Sequence, residues 1–437
     1  MSDWNFKDLK KWDEKICKLA LDFNLDWYPI VYETCDYYQM IGHMSYHGMP
    51  SHYGHWSYGK SFERTHQMYN LGMEGLPYEL IINSNPSIAY LMIENPLYLQ
   101  ILIMAHCVGH SDFFKNNRMF ADTRPESIVS SFRAARKRIQ GYIENPHIGI
   151  KKVEKILDAV HAIQHQTYRF PKKYISHKQR KKELVDLLVA KQEQGEDISS
   201  YNTQAIPLQP EYDILGFILE HSKNLEEWQR DIVEIVRTES QYFMPQINTK
   251  IMNEGWASYW HYTLMHELDL PQEFHIPFLK SHNQVIRPHV GGINPYHLGF
   301  CMFQKIKERH GMEECFLARE VHHDVSFIRQ YLTQEDCEDL NLFSYGLIKN
   351  DYIINEVSDD DGWKKIKNSL ISNIGSNTIP IIYVESIEEG NVLTLHHEHD
   401  GRDLELEYAE RVVDHLTTLW GDVVKLITII EDEPFEI

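Results

Sequence analysis

The sequence predicts a mainly α-helical protein, with a large helical domain over residues 1–345 and a small α+β domain over residues 346–437. Three observations carry that expectation. Apolar residues recur at helical spacing through most of the chain up to about residue 310. After about residue 380 the pattern shifts to strand period. From Leu97 to Met104 the apolar residues cover every face of a helix, which marks a buried one.

Taken in order, residues 4–28 place Trp4, Leu9, Trp12, Ile16, Leu19, Ala20 and Phe23 on one helical stripe. Residues 29–80 are rich in Gly, His and aromatic residues and read as a long irregular region, ordered because disordered segments are poor in aromatics. Asn85-Pro86 and Asn95-Pro96 each carry the signature of a helix start, Asn at the N-cap and Pro at the first helical position. They predict a short helix over 86–94 and a longer one from 96 to about 113. Further helices are expected at 123–143, 151–166, 176–195, 211–222, 224–243, 246–267 and 294–310, with Pro245 separating two of them. Residues 190–210 are the best linker candidate. Near the C-terminus, Pro380–Glu385 and Asn391–His397 read as strands joined by the turn Glu389-Gly390-Asn391. A helix over Leu404–Trp420, stopped by Gly421, and a strand over Val423–Ile430 complete a ββαβ pattern.

Composition excludes some functions. The 437 residues are 43% hydrophobic and 12% aromatic, enough for a well-filled core. A formal charge of −21 argues against a nucleic-acid partner, since phosphate contact needs Lys and Arg. The clusters Arg133–Arg138 and Lys178–Lys182 read as solvated helix faces. The N-terminal residues are polar without a signal-peptide core, and the apolar run around Ile101 is too short to span a membrane. The six cysteines form no CxxC pair, which suits reduced thiols. A soluble cytoplasmic protein of undetermined oligomeric state is the expectation.

The chemistry-bearing residues lie in two blocks. Met104 to Asn117 places His106 and His110 four residues apart at the end of the apolar helix, and Met252 to His261 places Glu254 in an aromatic-rich helix. Two His at i,i+4 with one distant carboxylate is the ligand set of a zincin-type site. The spacing alone is weak: composition predicts roughly one to two HxxxH pairs, and the chain also has His43/His47 and His161/His165. Context singles out the pair at 106 and 110. Buried imidazoles must satisfy their nitrogens internally, through metal, carboxylate or backbone carbonyl, and both a metal site and hydrogen-bonded structural histidines remain open. Glu254 needs a cation or several donors in such surroundings. His261, seven residues on, is a fourth ligand, an outer partner or a satisfied core histidine. HExxH enzymes carry Glu after the first His as general base, whereas Cys107 stands here. Asp112, Glu94 and His297 are weak substitutes, and the catalytic residues stay unassigned. The loops Pro50–Lys60 and Arg287–His297 and the strand histidines His396, His397 and His399 are further clusters, the last read as surface residues. Glu63/His66 and Glu320/His323 raise a di-iron alternative, weakened because residues 50–80 do not read as a bundle helix.

Five blocks resemble the SpoVR (stage V sporulation protein R) family over nearly the whole chain: His55–Lys60, Tyr78–Tyr90, Ala105–Asn117, Met252–Tyr262 and Gly292–Gly299. The resemblance implies a cytoplasmic bacterial protein of endospore formation, acting in assembly of the peptidoglycan cortex. A second likeness is local. Glu254-Gly-Trp-Ala resembles the segment bearing the third zinc ligand in some HExxH peptidase-like families, and Gly109-His110 resembles the end of their helix. It implies His106, His110 and Glu254 as ligands of a divalent cation, zinc being the expected metal, in a zincin-like helical domain. Two functions follow: a metal-dependent amide hydrolase, or a non-catalytic scaffold or regulator of cortex assembly. Protein partners suit either.

Overall fold

The computed structural model describes residues 3–71, 79–172, 175–194, 202–289, 292–348, 351–359 and 361–437. The described residues are mainly helical, with seventeen α-helices, two small sheets, and a four-stranded sheet near the C-terminus. Contacts divide the chain into two units, one of residues 1–136 with 245–378 and one of residues 137–244 with 379–437.

In the first unit the helix Leu97–Asn116 is the centre of the core. Residues Leu99 through Phe114 along it are all buried, as a helix apolar on every face requires. The amphipathic helix Phe6–Asp22 packs on it through Leu9, Trp12, Ile16 and Ala20, and starts at a capping box between Asn5 and Asp8. A three-stranded sheet lies beside it. Ser87–Met92 is the central strand, parallel to Ile30–Cys35 and antiparallel to Glu79–Ile82. The helices Lys250–Glu267, Gln272–Val285 and Pro295–His310 contribute to the same core, followed by Met312–Val321 and Asp324–Tyr331.

The second unit carries the expected ββαβ pattern. Ile382–Glu388, Val392–His397 and Val424–Ile430 form adjacent strands, joined by a turn at Gly390 and Asn391 (both at positive φ) and by the helix Leu406–Trp420. Gly421 ends that helix in the left-handed conformation, and a fourth strand, Glu433–Glu436, extends the sheet. The helix packs on Gly149–Ala162 within the same unit.

Several expectations differ from this architecture. Residues 87–92 are a strand rather than part of a helix over 86–94. A run of six residues is too short to tell buried strand from buried helix by pattern, and here it lies between two neighbours. The supposedly irregular region holds the strands Ile30–Cys35 and Glu79–Ile82 and the helices Tyr37–Ser45 and Trp56–Asn70. Asp36 and Gln39 cap the first of these helices reciprocally. Gly42 and Gly59 lie inside the two helices with open space around them, so they mark no turn. Gly72, Gly75 and Pro77 fall outside the described residues. Helix Glu227–Asn248 runs through Pro245, and the break comes at Thr249, whose hydroxyl donates to the Pro245 carbonyl. The linker candidate 190–210, of which 195–201 lie outside the described residues, has both flanks in the second unit. The first unit extends past residue 345 to 378, because Leu370, Ile371 and Ile374 are buried in its core.

Candidate metal centre

Three helices meet at glycines. A Cβ on Gly109 would fall 2.7 Å from the Ala257 Cα, one on Gly255 2.3 Å from the Gly299 carbonyl carbon, and one on Gly299 2.1 Å from the Ile251 carbonyl oxygen. Only glycine permits backbones to approach so closely. Each glycine neighbours a polar side chain of the cluster: Gly109 precedes His110, Gly255 follows Glu254, and Gly299 lies one helical turn after Tyr296.

Buried polar contacts hold the helices in register. Asp112 accepts from the Asp26 backbone N–H (2.8 Å), the Trp256 indole (2.8 Å) and the Arg319 guanidinium (2.7 Å). Asp324 accepts from the backbone N–H groups of Ile251 and Met252, both at 2.9 Å, at the start of the helix that carries Glu254. A carboxylate at that position satisfies free helical donors and complements the macrodipole.

His106 and His110, 2% and 4% exposed, turn their Nε2 atoms toward a common point. Glu254 Oε2 lies 3.3 Å from His110 Nε2 and 3.7 Å from His106 Nε2. Glu79 Oε1, from the strand Glu79–Ile82, lies 3.5 Å from His106 Nε2. Ligand-type atoms of Glu79, His106 and His110 fall within 4.8 Å of one another, the one such cluster among the described residues. His106 Nε2 and Glu254 Oε2 are buried without a hydrogen-bond partner. Metal–ligand bonds of about 2.1 Å in tetrahedral geometry set roughly 3.4 Å between ligand atoms. The observed separations of 3.3, 3.5 and 3.7 Å fit that spacing, and the orphaned atoms are those a cation would satisfy.

The outer nitrogens are also arranged. His110 Nδ1 meets Asn253 Oδ1 at 2.9 Å, which can only accept, so the proton sits on Nδ1 and leaves Nε2 with its lone pair. His106 Nδ1 meets His261 Nδ1 at 2.8 Å, and His261 Nε2 meets His282 Nδ1 at 2.7 Å. Burial pushes the Glu254 carboxyl up, but the adjacent His110 and His106 outweigh it and hold it below the usual carboxylate range. Burial opposes charge on His110 too, yet Glu254 raises its pKa. Burial first, then neighbouring imidazoles, lower His261 well below its ordinary value and bring His282 down to about 4. Burial, then the charges of Glu254 and Glu79, keep the Tyr296 phenol protonated far above 10. Its ring stacks 6.1 Å from that of His106.

The structure thus brings together His106, His110 and Glu254, with His261 behind His106. Cys107 is fully buried, and burial followed by the charge of Glu79 raises its thiol pKa well above 9. Asp112 is committed to the helix contacts above, and Glu94 is exposed. His297 is half-buried beside Cys301. Sequence reasoning missed Glu79, Tyr296, Asn253 and His282. Glu79 lies within the block Tyr78–Tyr90 already noted as a family likeness, and that likeness was its available signal. Of the other clusters, His43 stacks on Tyr90 and His52 packs among aromatic rings including Phe132. Gly292 has open space around it, and Gly291 lies outside the described residues. His397 is buried against Thr428 rather than on the surface, because it sits on an inner strand of the sheet. Glu63 and Glu320 are exposed, which leaves the di-iron alternative without support.

Comparison with known proteins gives one consistent result. The family model described as SpoVR like protein matches residues 3–379, and that described as SpoVR-like C-terminal domain matches residues 380–431. The second match begins next to residue 379, where the last segment of the second unit starts. Uncharacterized protein YcgB of Escherichia coli (strain K12) is 35% identical over 486 residues, covering 100% of this chain and 94% of that protein. No solved structure matches significantly.

Proposed function

The chain belongs to the SpoVR family, and on that premise we propose that it acts in formation of the spore cortex as a metal-dependent hydrolase of amide bonds, with a zincin-like cation site made by His106, His110 and Glu254. Family membership supports a sporulation-related protein. The observation that supports the chemistry is the pair of orphaned buried atoms, His106 Nε2 and Glu254 Oε2, 3.7 Å apart and flanked by His110.

A divalent cation, with zinc the expected metal, would supply Lewis-acid polarisation of a substrate carbonyl. The remaining work falls to side chains. Glu79 takes the part of the carboxylate absent at position 107, accepting a proton from the attacking water and returning it to the leaving amine. Tyr296, held protonated, donates a hydrogen bond to the oxyanion as it develops. Asn253 holds the His110 ring in the tautomer that leaves Nε2 free. Peptidoglycan offers amide bonds in its peptide stems, and protein partners in cortex assembly complete the proposal. A cytoplasmic location is proposed with it; no helix among the described residues is long and apolar enough to cross a membrane.

One observation favours the second reading, a scaffold or regulator with a structural metal: Glu79 is as close to His106 as Glu254 is. Four protein ligands would close the site and leave no position for substrate. Metal analysis of purified protein, with complementation of a cortex-defective strain, separates the two. Wild type is expected to hold about one divalent ion, His106→Ala/His110→Ala and Glu254→Gln to lose it, and Glu79→Gln to keep it while failing to restore the cortex. Metal loss in Glu79→Gln favours the scaffold. Equal metal in wild type and the double-histidine variant ends the ligand assignment.

A further inference from the structure

We infer that His261 and His282 are positioning residues that hold His106 in the tautomer a cation requires, through a directional chain of three imidazoles. This inference rests on the metal reading above and extends it to two residues without a ligand role.

The geometry is specific. His106, His261 and His282 are 2%, 0% and 2% exposed. Their rings meet nitrogen to nitrogen, His106 Nδ1 to His261 Nδ1 at 2.8 Å and His261 Nε2 to His282 Nδ1 at 2.7 Å. Each contact needs one donor and one acceptor, and a neutral imidazole carries one of each. The three protons are therefore coupled. When His106 presents the Nε2 lone pair to a cation, its proton must sit on Nδ1 and point at His261 Nδ1. His261 then carries its proton on Nε2 and donates to His282 Nδ1. One orientation of the chain serves metal binding; the reverse orientation places a proton on His106 Nε2, where the ion would be.

The chain differs from the support of the other ligand. His110 leans on an amide oxygen that cannot donate, so its tautomer has a single solution. His106 leans on a group that can donate or accept, and the contact of His261 with His282 couples that choice to a third ring. His261 lies seven residues after Glu254 on the same helix, so one helix delivers both a ligand and the support of a second ligand. His282 comes from Gln272–Val285, where the rings of Tyr262 and Phe300 pack against it. Outer partners of this kind typically govern metal affinity by 10- to 100-fold.

Zn²⁺ titration by calorimetry, with melting of the metal-free proteins as a folding control, tests this. In His261→Asn the amide Oδ1 takes the place of Nδ1 and can accept from His106; in His261→Leu nothing can. The expected result is an affinity about 10- to 100-fold weaker for His261→Leu, near wild type for His261→Asn, and a smaller loss for His282→Leu. Affinity unchanged in His261→Leu, or lost equally in His261→Leu and His261→Asn, overturns the inference while leaving the metal site standing. An unchanged His282→Leu removes His282 from it. A wild type that takes up no Zn²⁺, or any other divalent ion, overturns the metal reading itself.

Discussion

The helix Leu97–Asn116 and the strand Glu79–Ile82 bring side chains to the same cluster by opposite means. The helix is buried along nearly its whole length, so its two imidazoles sit where polar groups are costly. The strand is a short member at the edge of its sheet and supplies one half-buried carboxylate. A polar residue in an apolar helix is conspicuous in a sequence. A carboxylate at the first position of a short strand is ordinary there, and only the fold gives it meaning.

The sharpest test of this contrast moves the carboxylate from strand to helix. Cys107→Glu recreates the HExxH spacing, but position 107 is fully buried in the main core and already feels the charge of Glu79. An unpaired carboxylate there should cost about 3–5 kcal/mol of stability, read by urea denaturation. If Cys107→Glu is as stable as wild type and restores function to Glu79→Gln, the two carboxylates are interchangeable and the strand has no special role.

The same contrast explains what sequence could reveal. Helix existence was legible wherever a 3.6-residue stripe was long, as in residues 4–28 and 404–420. That His106, His110 and Glu254 come together was legible because each residue interrupts an apolar or aromatic helix. The strand Ser87–Met92 was not, because Asn85-Pro86 imitates a helix start and five apolar residues in a row carry no period. His282 and Tyr296 stayed hidden because their partners lie on other helices, and tertiary contact leaves no local pattern. The extent of the first unit was hidden for a similar reason: residues 362–374 look like the start of an α+β domain but bury Leu370 and Ile371 in the helical core.

Glycine offers a second way to sharpen the comparison. In the helices behind the cluster it is a packing requirement; in the aromatic region it is not. Gly299→Ala would place a methyl group 2.1 Å from the Ile251 carbonyl oxygen and 2.7 Å from the Gly255 Cα. Forcing those helices apart should cost at least about 1–3 kcal/mol and weaken cation binding, because Glu254 and Tyr296 separate. Gly59→Ala, in the helix Trp56–Asn70 with open space around it, should instead gain about 0.4–1 kcal/mol. Equal effects at the two positions, by denaturation, would remove the distinction.

A pH-dependent effect concerns the cap of the glutamate-bearing helix. Asp324 is almost fully buried, and burial raises its carboxyl from 3.8 to about 7, against the pull of the Ile251 and Met252 N–H groups and of Lys250. The folded protein therefore binds this proton more tightly than the unfolded chain. Between about pH 4 and pH 7 the unfolded Asp is ionised while the folded one still holds its proton. Its contribution to stability thus falls as pH rises through that window and levels off above it. Asp324→Asn cannot titrate, so the stability of wild type relative to the variant should drop by up to about 1.4 kcal/mol from pH 5 to pH 6. Denaturation at the two pH values reads this difference directly. A margin that stays level instead would mean that the two backbone donors keep the carboxylate ionised throughout, and the helix bearing Glu254 would then be capped by a fixed charge rather than by an acid.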